Sequence, residues 1–111
     1  MSDGKAELTV PPEPSDYALI REQAWIGDAV LGLFARRWIV ANCPSSADRS
    51  DLFRRMTCNQ FLTAFGEPTH VEARIGRVYE AHGLAAAFEY MEREILPLFV
   101  KQEARRHSGR R

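Results

Sequence analysis

The chain has 111 residues, 45% of them hydrophobic and 27% charged, and its 15 basic and 15 acidic side chains cancel. That length suits one domain around one core. The neutral balance demands no nucleic-acid partner, and no apolar run reaches the roughly 18 residues of a membrane span. Arg21, Glu22, Asp28, Arg36 and Arg37 interrupt the richest stretch. Cys43 and Cys58 form neither a CxxC pair nor a disulfide framework, and read as reduced thiols. Adding His70 and His82 matches no zinc-module spacing. With no targeting pattern at the N-terminus, the expectation is a cytoplasmic protein with no membrane partner and no organic cofactor.

Residues 1–14, with Pro11, Pro12 and Pro14, read as a flexible extended leader. From Tyr17 to about Ala41 the apolar residues Ile20, Ala24, Ile26, Val30, Leu33, Phe34 and Trp38 recur at helical spacing. This predicts a long first helix, apolar enough to lie centrally and stopped by Asn42, Cys43 and Pro44. A second helix is expected over 47–65, capped by Ser45 or Ser46 and carrying Leu52, Phe53, Met56, Phe61, Leu62 and Phe65. Gly66 and Pro68 separate it from a third over 69–82, which Gly83 ends. A fourth begins near Leu84, and Pro97 should kink or end it. Nothing alternates with period two, so the predicted class is all-α, with a domain over 15–100 and a basic tail over 101–111.

Two positions are odd for packing alone. Asp28 follows Gly27 inside the most apolar helix, where a glycine costs about 1 kcal/mol relative to alanine and usually marks a close backbone approach. A buried Asp28 would need a cation, hydrogen-bond donors or water. Glu72 sits one turn before Gly76 on the third helix and shares its face. Helices crossing at these glycines would bring both acids together, and magnesium suits a pair of carboxylates because it keeps several waters for substrate phosphates. The alternative is that Asp28 pairs with an arginine such as Arg74 while Glu72 faces water.

The segment Arg21 to Trp38, REQAWIGDAVLGLFARRW, resembles the ribonuclease III signature, whose heart is Gly-Asp followed by a small residue, Val and Leu. Asp51 to Leu62 resembles that family's next helix through Asn59, Phe61 and Leu62. Val71 to Met91 resembles its closing motif, in which Val-Glu-Ala, Ile-Gly, Tyr and Gly-Leu-x-Ala-Ala follow in that order. The sequence departs from the family pattern at two of four acidic positions, which are Ala24 and Thr69 here. The linker between Phe65 and Thr69 is short, and no double-stranded-RNA-binding domain is expected. The two-acid pattern is similar to that of the mini-ribonuclease III branch.

The resemblance implies a ribonuclease III-like helical domain that forms a homodimer through the long first helix. It also implies Mg²⁺-dependent hydrolysis of double-stranded RNA, with Mn²⁺ as a possible substitute. Asp28 and Glu72 would be the catalytic and metal-holding acids, and the products would carry 3′-hydroxyl and 5′-phosphate ends. Arg54, Arg55, Arg74, Arg77, Arg105 and Arg106 are the available phosphate partners. Trp25 and Tyr79 are expected as core or dimer contacts. The other reading is a catalytically degenerate domain of this fold that binds RNA or a protein without cutting.

Overall fold

In the computed structural model, residues 9–108 are described, and every regular element among them is helical. The first helix, α1 (Tyr17–Asn42), starts where the Asp16 carboxylate accepts a hydrogen bond from the Ala18 amide and ends where the Cys43 amide donates to Ile39. A short 3₁₀ turn, Ser46–Asp48, leads into α2 (Arg49–Thr57), and Ser45 Oγ caps that turn. Next come α3 (Asn59–Leu62), a second 3₁₀ turn (Thr63–Phe65), α4 (Pro68–His82), α5 (Leu84–Glu94) and α6 (Leu96–Ser108).

The single helix predicted over 47–65 breaks at Cys58, whose backbone is extended (φ −75°, ψ 158°). Packing explains the break. At about 100° per residue, the set Leu52, Phe53 and Met56 and the set Phe61, Leu62 and Phe65 would face opposite sides of one continuous helix. Turning the chain at Cys58 lets Met56, Phe61 and Leu62 all enter the core, each with 6% exposure or less. The helix expected beyond Leu84 divides at Ile95, and Pro97 occupies the first turn of α6, where its missing amide leaves no bond unmade.

The core gathers Leu31, Phe34, Met56, Leu62, Ile75, Val78, Met91 and Phe99. Edge-to-face aromatic pairs join Phe34 to Phe88 and Phe99 to both Trp38 and Phe61, with centroids 5.3–5.8 Å apart. Arg55 clasps Glu103 through two hydrogen bonds of 2.8 and 3.0 Å, tying α2 to α6. Residues 101–108 are therefore the last turns of α6 rather than a separate tail, and Arg110 and Arg111 lie outside the described residues.

Part of the expected leader is likewise bound to the domain. Val10 packs on the core. Pro11 O accepts from Arg77 Nε at 2.9 Å, His82 Nε2 lies 3.1 Å from Thr9 O, and Glu13 pairs with His70 at 2.6 Å. Residues 9–14 thus form a strap along α4, and residues 1–8 lie outside the described set.

The main packing partner of α1 is α4. They cross with Gly27 against Gly76, so closely that a methyl group on Gly27 would fall on the Glu72 carbonyl and one on Gly76 on the Gln23 carbonyl. Neither carbonyl can move aside without unwinding its helix. Gly27→Ala and Gly76→Ala should each cost about 1–3 kcal/mol or more, lowering the thermal midpoint by roughly 5–20 °C. Calorimetry that found either variant as stable as the parent would refute the backbone contact.

A candidate two-carboxylate site where α1 crosses α4

The glycine contact determines where the acids stand. Asp28 follows Gly27 on α1, Glu72 precedes Gly76 by one turn on α4, and their carboxyl groups are within hydrogen-bonding reach. Asp28 is exposed and Glu72 half-buried, so water solvates Asp28 directly and its place in an apolar helix carries no burial penalty. The two acids line an open crevice of about 620 Å³. Ala24 and Thr69 line the same crevice, so the four positions singled out in the sequence converge on one place. Two of them bring carboxylates.

Arg74 does not pair with Asp28. Its Nη2 donates to Phe65 O at 3.1 Å, holding the turn before α4. Among the described residues neither Asp28 nor Glu72 makes an ion pair. Burial, a hydrogen bond to Asp28 and the Asp28 charge raise the Glu72 pKa from the ordinary 4.5 to about 7. At neutral pH Glu72 is therefore about half protonated, and its proton can be exchanged for a cation. No group of three or more His, Cys, Asp or Glu side chains stands ready for a metal among the described residues. A closed zinc-type cage is thus not built here, whereas a two-carboxylate magnesium site needs no third side chain.

The crevice has walls that the motifs did not single out. Arg21 and Trp25 line it with Asp28, and all three lie at helical spacing on one side of α1. That spacing was the available signal. Trp25 is 79% exposed, so it is not a core residue.

Most of the arginines proposed for phosphate are engaged within the chain. Arg77 is only 7% exposed and donates to Pro11 O and Gln23 Oε1, which makes it a strut beneath the strap. Arg55 is held by Glu103 and Arg74 by Phe65 O, while Arg54 pairs with Asp51 at the surface. Arg105 and Arg106 line a polar groove beside α6, with Arg106 3.7 Å from Glu103. None of these six lines the acid crevice.

The raised Glu72 pKa makes stability depend on pH. Between 4.5 and about 7 the folded chain keeps a proton that the unfolded chain releases. Its contribution is complete below 4.5 and lost as pH rises through about 7. Glu72→Gln should remove this slope and leave the variant more stable than the parent above pH 7, read as thermal midpoint against pH in metal-free buffer. Comparing the two proteins cancels the opposite contribution of Glu103, whose pKa the Arg55 pair lowers. Parallel curves would show that Glu72 carries no such proton. Compared with protein-family models, with curated proteins and with solved structures, the chain matches none.

Proposed function

We propose that the chain is a magnesium-dependent endoribonuclease of ribonuclease III type, similar to the mini-ribonuclease III branch, acting on double-stranded RNA. The observation that carries this reading is the meeting of Asp28 and Glu72 in an open crevice that also contains Ala24 and Thr69. Two adjoining carboxylates that make no ion pair among the described residues fit magnesium, and Asp28 and Glu72 would hold it; manganese is the expected substitute. Bound magnesium supplies Lewis acidity, neutralising charge that develops on the phosphodiester and making water more acidic. The protein's part is to hold both carboxylates at a fixed separation on two rigid helices. Displacing the Glu72 proton is part of loading the site, so activity should rise with pH through about 7.

A second copy of the chain is the expected partner. Leu19, Ile26, Leu33 and Val40 recur every seven residues along α1 and are 44%, 36%, 39% and 63% exposed, leaving a coiled-coil-like seam uncovered. An antiparallel pairing that sets Leu19 against the partner's Val40 also sets Glu22 against the partner's Arg37, joining opposite charges. Leu33→Glu should convert a dimer to a monomer in sedimentation equilibrium; a wild-type chain sedimenting as a monomer at micromolar concentration removes this part of the reading.

The second reading, a domain that binds RNA without cutting it, draws on the same crevice, because Ala24 and Thr69 add no carboxylate. Cleavage separates the two. Wild-type protein with Mg²⁺ should cut long duplex RNA, and Asp28→Asn should slow the reaction at least about 100-fold while leaving the fold intact. Retained duplex affinity without cleavage by the wild type would decide for the binding reading.

A further inference from the structure

Two arginines that no motif singles out share a groove of about 320 Å³ between the end of α1 and the start of α2. The Arg36 guanidinium stacks over the Phe53 ring, 4.2 Å from its centroid, and Nη1 reaches Gly32 O at 3.4 Å. Gly32 makes room, since a methyl there would come within 3.2 Å of that same Nη1. Across the groove, Arg49 Nη2 donates to Cys43 O at 3.3 Å, and Ser50 adds a hydroxyl to the lining. Arg49 Nε is shielded from water and has no hydrogen-bond partner, the sole such side-chain atom among the described residues. A guanidinium fork with one donor anchored and its neighbour unpaired lacks an acceptor.

The charge balance points the same way. Among the described residues no carboxylate lines this groove, and neither arginine makes an ion pair. Arg54, Arg55 and Arg106, by contrast, each face an acid. The ligand that suits two uncompensated guanidinium groups and a hydroxyl is an oxyanion, and phosphate matches the fork geometry.

Its position along α1 connects it to the acids. Trp25 lines the carboxylate crevice and Arg36 the groove. They are close to three whole turns apart, so they project from the same side of the helix, separated by about 16 Å along its axis. A duplex backbone lying along that side would reach both places at once.

We propose that Arg36 and Arg49 hold a backbone phosphate of the RNA strand lying across the Asp28–Glu72 crevice, a few nucleotides from the bond to be cut. The assignment rests on the nuclease reading for its substrate but not for its measurement. The experiment follows the arginine Nε–H signals of the ¹⁵N-labelled full chain by NMR during titration with inorganic phosphate, and then with a short RNA duplex in EDTA. The Arg36 and Arg49 signals should move with both probes, assigned by their loss in Arg36→Gln and Arg49→Gln. Each variant should bind the duplex roughly tenfold more weakly and lower the slope of log affinity against log salt by about 1. Because Arg49 also anchors the loop after α1, Arg49→Lys serves as the variant that keeps the charge, and it should recover part of the affinity. Signals that move with phosphate and not with duplex would overturn the assignment to RNA. Signals that move with neither probe, or folded variants with unchanged affinity and slope, would overturn the site. Arginine-dependent duplex binding by a wild type that cuts nothing would leave the site standing and overturn the nuclease reading alone.

Discussion

The backbone contact between Gly27 and Gly76 is the constraint from which the rest of the structure follows. Two helices that meet without side chains between them have their separation set by main-chain atoms, which yield little. Asp28 and Glu72 inherit that separation because each is within one turn of a glycine. A carboxylate pair held in this way cannot drift apart to relieve its repulsion. Burial of Glu72 first, and the Asp28 carboxylate beside it second, favour a retained proton or a bound cation, and the Glu72 pKa is displaced upward accordingly. The same geometry keeps the crevice open, since Ala24 and Thr69 place small side chains where larger ones would fill it.

Much of this was legible in the residue pattern, for reasons that can be named. Gly27 and Gly76 stood out because glycine is costly inside a helix, and such a cost implies a compensating contact. The ends of α1 and α4 followed from Asn42-Cys43-Pro44, Pro68 and Gly83, where local chemistry and the tertiary fold agree. The break at Cys58 was missed because no glycine or proline marks it. The signal lay in phase, with two apolar sets on opposite sides of a helix that could not serve both. The strap over 9–14 was missed for another reason. Prolines exclude a helix, yet they say nothing about whether an extended segment has a surface to lie on, and Arg77 and His82 supply one from far along the chain.

Arginine placement was the least legible part of the site. Sequence places a guanidinium on a helix but not its acceptor, and acceptors here are distant carbonyls and carboxylates. Arg77 supports the strap, Arg74 the turn at Phe65 and Arg55 the junction with α6. The charge that remains free is therefore distributed unlike the charge that was counted. Arg36 and Arg49, which no motif singles out, line a groove that holds no carboxylate among the described residues.

The strap also changes where the folded unit begins. Arg77 is almost wholly enclosed, and one of its acceptors is the carbonyl of Pro11. A chain cut between Pro14 and Asp16 would leave a guanidinium inside the protein with one donor stranded, a loss felt in the middle of α4 and one residue from Gly76. Proteolysis of so slight a segment would then weaken the floor of the acid crevice from behind. The strap over 9–14 thus belongs to the same cooperative unit as the helices, although it contributes no regular structure of its own.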